Sequence, residues 1–115
     1  MKTKENRDII SVNDLYKKTQ KGSDFTLLDV RTLMEYKAGH IKNAILLNLS
    51  EDFLKDLKKI GLIDKKKNSI IAYCRNGVRS QIIFNVLKTL GFKNVKDMQG
   101  GLLEWKKNKL PLIKE

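Results

Sequence analysis

The sequence predicts an α/β fold with a mainly parallel sheet of about five strands, and three observations carry that reading. Apolar runs of strand length alternate along the chain with stretches of helical period. The run Phe25 to Val30 lacks the polar alternation of a half-exposed strand and reads as a central strand covered on both faces. The chain has 115 residues, the length of a single domain with room for one hydrophobic core. No internal repeat, linker or low-complexity segment interrupts it, so a single domain is expected over residues 1–115.

Taken in order, residues 1–7 are polar and are expected to be a frayed, flexible terminus. Ile9 and Ile10 suit a short strand. Ser11, with Asp14 three residues later, caps a helix that turns Val12, Leu15 and Tyr16 inward and runs to about Thr19. Lys21-Gly22-Ser23 is a turn, and the strand Phe25 to Val30 follows. Thr32-Leu33-Met34-Glu35 is a capping-box pattern opening a short helix, which Gly39 stops. Ala44 to Leu47 is the next strand. Asp52 to Ile60 carries Phe53, Leu54, Leu57 and Ile60 on one helical face, with Gly61 at its end. Lys65 to Asn68 is an exposed turn before the strand Ser69 to Tyr73. Ser80 is read as the cap of a helix from Gln81 to Leu90 whose stripe is Ile82, Ile83, Val86, Leu87 and Leu90. Lys93 to Met98 is a last strand. Gly100-Gly101 leads into a short helix with Leu102, Leu103 and Trp105, and Pro111 marks its end.

Composition narrows the function classes. No apolar run approaches the ~18 residues of a membrane span. The first eight residues lack the apolar core of a signal peptide, so the cytoplasm is the expected location. A single cysteine excludes an intrachain disulfide and an all-cysteine zinc site, and no metal or cofactor is expected. The net charge of +11 invites a nucleic-acid reading. Yet the lysines are scattered, and no basic stripe interleaved with aromatics appears. A solvated basic surface that favours small anions is the better account, and a nucleic-acid partner is not expected. Lysine supplies 20 of the 24 basic residues. The four arginines, Arg7, Arg31, Arg75 and Arg79, are therefore informative, and two of them flank Gly77 beside the sole cysteine.

That neighbourhood, Cys74-Arg75-Asn76-Gly77-Val78-Arg79-Ser80, carries the chemistry. It joins an apolar strand to an amphipathic helix, and ligands in such sheets bind beyond the carboxyl ends of the strands. Asp29-Val30-Arg31 lies at the end of another strand and so at the same edge. The reactive form of a cysteine is the thiolate, and a free thiol ionises only near pH ~8.5. A helix start, curled backbone N–H groups and two guanidinium groups all favour that form. Gly77 supplies the backbone freedom the curl requires. Cys74 is thus the candidate nucleophile rather than an inert buried thiol. Asp29 and Arg31 are read as an ion pair bracing the loop. His40 and Trp105 are read as structural, and Tyr73 as packing.

Three motifs in order resemble the rhodanese-like sulfurtransferases. They are Asp29-Val30-Arg31 with Glu35-Tyr36, Gly39-His40-Ile41 and Ala44; the loop Cys74 to Ser80; and Gly100-Gly101 with Trp105 and Pro111. The match covers about residues 8 to 111. The chain departs from the family pattern at Asn43, where glycine is frequent, and in Asn108-Lys109-Leu110, where a glycine often precedes the proline. The resemblance implies a three-layer α/β/α domain and a thiosulfate sulfurtransferase. Cys74 would carry a persulfide between a small anionic donor, thiosulfate or a persulfide, and an acceptor such as cyanide, a thiol or a protein. Arg75 and Arg79 would bind the donor's oxygens. Asn76, Gly77, Val78 and Ser80 would complete the loop that holds the sulfur.

Two rivals stand beside this. Cysteine phosphatases and arsenate reductases of related fold place one residue more between cysteine and arginine than the four found here, making a ring sized for a tetrahedral oxyanion. A non-catalytic module, or a relay partner fed by another protein, is the second.

Overall fold

The computed structural model describes residues 8–22 and 24–115. The terminus expected to be flexible, 1–7, and Ser23 of the expected turn lie outside the described residues. The described chain alternates strand and helix: β1 (Ile9–Ile10), α1 (Val12–Lys21), β2 (Thr26–Asp29), α2 (Leu33–Ala38), β3 (Ile45–Leu46), α3 (Phe53–Lys59), β4 (Ser69–Tyr73), α4 (Val78–Thr89), β5 (Asn94–Met98) and α5 (Gly101–Lys107). The strands form one parallel sheet in the order β1-β5-β4-β2-β3. The register sets Asp29 beside Tyr73 and Ala72 beside Asp97. The carboxyl ends of β2 and β4 are therefore neighbours, and Cys74 follows one of them directly.

Each sheet face buries its own set of side chains, because successive residues of a strand point to opposite faces. Leu28, Ile70, Ala72, Cys74 and Val95 face α3 and α4, where they meet Leu57, Ile83 and Leu87. Leu27, Ile71, Tyr73 and Met98 face the other way, toward Leu15 of α1 and Leu102 and Trp105 of α5. β2 thus contributes Leu27 to one core and Leu28 to the other, as its unbroken apolar run demands. The result is a three-layer α/β/α arrangement.

Local capping follows sequence in α1 and α2. Ser11 Oγ accepts the Asp14 N–H at 3.0 Å. Thr32 and Glu35 close a reciprocal capping box. The start of α4 differs from expectation. The helix begins at Val78 with Gly77 as its cap, so Ser80 lies inside the first turn rather than at the boundary. Gly77 adopts φ 98°, a left-handed conformation that frees three loop positions to enter the helix early. The expected helical stripes are also narrower than drawn: Leu54, Ile82 and Leu103 are exposed. Each directly adjoins in sequence a buried residue of its helix, Phe53, Ile83 or Leu102, and at 3.6 residues per turn it faces about 100° away from it. Among the described residues, no helix is long and apolar enough to cross a membrane.

Candidate active site

Cys74 is fully buried, and the chain that follows it wraps its sulfur. The backbone N–H of Gly77 donates to Sγ at 3.1 Å, and that of Ser80 at 3.3 Å. The thiol itself lies 3.5 Å from Ser80 Oγ, which accepts its proton. Asn76 is exposed, and its side-chain oxygen accepts the Val78 N–H at 3.1 Å, which holds the turn closed. The donors from Gly77 and Ser80 belong to the cap and first turn of α4, so the helix presents its positive end to the sulfur.

The floor of the loop is built by α5. Leu102 N–H donates to the Cys74 carbonyl at 2.8 Å, and Leu103 N–H to the Arg75 carbonyl at 3.0 Å. This close approach is why Gly101 has no side chain. A Cβ there would lie 2.6 Å from the Arg75 carbonyl oxygen, and its φ of +62° is itself strained for any other residue. The Gly100-Gly101 pair thus belongs to the site as well as to a turn.

One strand over, Asp29 and Arg31 form a two-pronged ion pair. Arg31 Nε donates to Asp29 Oδ1 at 2.9 Å, and Nη2 to Oδ2 at 2.6 Å. Nη2 also reaches the Gly39 carbonyl at 2.7 Å, tying the end of β2 to the end of α2. Burial works against the Arg31 charge, but the hydrogen bonds and charge of Asp29 outweigh it, and the guanidinium sits above its ordinary value. Tyr73 joins this pair, although sequence reasoning gave it packing alone. Its hydroxyl donates to Asp29 Oδ2 at 2.6 Å and accepts the Ile41 N–H at 3.1 Å. Burial, and then the Asp29 charge, push the Tyr73 phenol far up, so it stays a donor. Only the adjacency of Tyr73 to Cys74 hinted at this, because the partnership depends on the β2–β4 register.

Arg79, in the first turn of α4, has a partner on α2. Its guanidinium is held by Glu35, with Nη1 2.8 Å from Oε1 and Nη2 3.1 Å from Oε2. Glu35 Oε1 also accepts from Thr32, so one carboxylate caps α2 and fastens the loop. The Arg79 hydrogen bond holds the Glu35 carboxyl well below the carboxylate range, at about 2. Arg75 is exposed beside the loop. His40 stacks on Tyr36, with ring centroids 3.9 Å apart. Its Nδ1 lies 2.9 Å from the Ile41 carbonyl and its Nε2 2.8 Å from Glu115, so both ring nitrogens are engaged away from the sulfur. The sequence showed Glu35 as a cap residue and as part of a motif, but not as the partner of Arg79, which lies 44 positions away.

A buried thiol ringed by helix-start amides, on a parallel sheet braced from the adjacent strand end, marks a class of α/β proteins built around one loop cysteine. The family profile of the rhodanese-like domain matches residues 11–108, and the chain belongs to that family. It is 31% identical over 112 residues to rhodanese-like domain-containing protein 17 of Arabidopsis thaliana, covering 90% of this chain and 70% of that protein. It is 30% identical over 88 residues to a tRNA uridine(34) hydroxylase of Corynebacterium kroppenstedtii, covering 75% of this chain. The chain spans only 30% of the length of that hydroxylase. Among solved structures it is similar to the polysulfide-sulfur transferase homodimer of Wolinella succinogenes, at 28% identity and TM-score 0.77, covering 96% of this chain and 81% of that one.

Proposed function

We propose that this chain is a sulfurtransferase that carries a sulfane sulfur as a Cys74 persulfide. The observation that supports it most directly is the sulfur itself, which receives the N–H groups of Gly77 and Ser80 within a loop too short to ring a phosphate. With thiosulfate as donor, the Cys74 thiolate attacks the outer sulfur, the sulfur–sulfur bond breaks, and sulfite leaves with the bonding pair. The new terminal sulfur carries the negative charge that the loop amides and the end of α4 are aimed at. A thiolate or cyanide acceptor then attacks that sulfur and returns the Cys74 thiolate. Exposed Arg75 is the first cation to meet the donor's oxygens. Arg79, paired with Glu35, holds the loop and adds positive potential, and Asp29 and Arg31 brace it from β2. The expected setting is the cytoplasm.

Intact mass after thiosulfate exposure tests this. The chain gains one sulfur, a thiol reverses the gain, and Cys74→Ser shows none. Release of phosphate from a phosphoryl ester without any sulfur gain would favour the phosphatase rival and remove this reading. A second reading follows from the hydroxylase relatives and the net charge of +11: the sulfur or the loop serves tRNA. It requires salt-sensitive binding of tRNA by this chain.

A further inference from the structure

Exposed apolar side chains gather around the Cys74 loop. Helix α4 opens with Val78 and Ile82, one turn apart on a single face, and Val78 is 62% exposed. Helix α2 opens with Leu33 and Met34, and Met34 is 83% exposed. The Arg79–Glu35 pair, at 2.8 and 3.1 Å, ties these two first turns together. The α4 turn is itself part of the loop, since the Asn76 side chain accepts the Val78 N–H and the Ser80 N–H reaches the sulfur. Leu103, also exposed, donates its N–H to the Arg75 carbonyl from the α5 side. The loop therefore has an apolar rim.

Charge on this rim is sparse for a chain of net charge +11. Across residues 32–35 and 75–82 the only charged side chains are Glu35, Arg75 and Arg79. Glu35 and Arg79 neutralise each other. That leaves the exposed guanidinium of Arg75, which enters no ion pair among the described residues. A small inorganic dianion gains nothing from exposed apolar carbon, so the rim is surplus to a thiosulfate site. Methionine and arginine among uncharged apolar groups are instead what protein interfaces are enriched in.

We propose that this rim docks a partner protein through a segment that carries a cysteine between apolar residues, with an acidic residue close by. The apolar neighbours pack on Met34, Val78 and Ile82, and the acidic residue meets Arg75. This rests on the sulfurtransferase reading and names the acceptor for it. The partner's thiolate attacks the outer sulfur of the Cys74 persulfide, and the sulfur–sulfur bond breaks. The Cys74 thiolate leaves with the bonding pair, and the partner keeps the persulfide.

The probe is the capped peptide Glu-Leu-Cys-Leu-Asp, compared with Ser-Gly-Cys-Gly-Ser and Lys-Leu-Cys-Leu-Lys. The chain is loaded with sulfur from thiosulfate and mixed with each, and uptake by the peptide is followed by mass. Each rate is normalised to that thiol's rate with a small disulfide. The first peptide takes sulfur roughly tenfold faster than either control. Its lead over the lysine peptide narrows at high salt. Met34→Gln with Ile82→Gln, both at exposed positions, leaves thiosulfate loading unchanged and removes the lead over the glycine–serine peptide. In amide NMR, the serine analogue of the first peptide shifts the signals of Leu33, Met34, Val78 and Ile82. Equal rates for the three peptides overturn the proposal, as does a lead that survives the double variant. A wild-type dimer in sedimentation that the double variant splits into monomers assigns the rim to a second copy and overturns it too. A chain that never loads sulfur yet shows those shifts keeps the docking surface and loses the sulfurtransferase reading. One that loads sulfur and shows no shifts loses the docking surface alone.

Discussion

Single atoms decide much of the site's rigidity. The Tyr73 hydroxyl serves Asp29 and Ile41 at once, and both partners are buried. Tyr73→Phe keeps the ring and removes the oxygen, leaving an N–H unsatisfied and a carboxylate one donor short. It is expected to cost about 1–3 kcal/mol, read as a lower urea midpoint with an unchanged slope. At the two places where the chain departs from its family's glycines, the backbone gives the reason glycine is frequent. Asn43 has φ 69° and Lys109 has φ 58°, both left-handed. Asparagine tolerates that region through its short polar side chain, whereas lysine has no such relief. Lys109→Gly should therefore stabilise the fold by up to about 1 kcal/mol once the entropy of a new glycine is subtracted, read as a higher urea midpoint. These φ angles were not legible as strain in the sequence, which showed only that glycine was missing.

The elements that make the site are two helix starts meeting one loop. Helix α4 gives its amides to the sulfur, and α5 gives its amides to the carbonyls of Cys74 and Arg75. Gly101→Ala places a methyl against the Arg75 carbonyl and should move the loop. Gly22→Ala is the control, since its φ is also positive at 69° but nothing lies within 4 Å of its Cβ. Both variants lose about 1 kcal/mol or more of stability, whereas only Gly101→Ala slows the thiosulfate-dependent mass gain. Strand β4 was legible in the sequence to the residue, because Ser69 to Tyr73 is an apolar run bounded by polar turns. The start of α4 was not. A serine inside the first turn and a serine at the cap give the same pattern, and only the left-handed Gly77 separates them.

Across the whole molecule, tertiary ion pairs tie stability to pH. Glu35 titrates at about 2 in the folded chain, below the ~4.3 of an unperturbed glutamate. The unfolded state therefore takes its proton first as pH falls. Its stabilising contribution is complete above the unfolded value and is lost as pH falls through about 2. Glu35→Gln should flatten the acid limb of the stability profile between those two values. The difference should shrink at high salt, because the pair with Arg79 is partly exposed. The same pair shows where sequence reading stops. Alternating strands and helices were enough to predict a parallel sheet and to bring Asp29 and Cys74 to one edge. They could not say that Glu35 would pair with Arg79.

The strand order has a consequence in time. Of the five strands, β1 leaves the ribosome first, yet its sheet partner among the described residues is β5, the last of them to be made. β2, β3 and β4 can pair as they emerge, but the β1 edge must wait for β5. The floor beneath Cys74 waits longer still, since the N–H groups of Leu102 and Leu103 follow β5. A nascent chain therefore carries its only thiol at the end of an already formed strand before the peptide that steadies the loop exists. The sulfur is framed early and secured last.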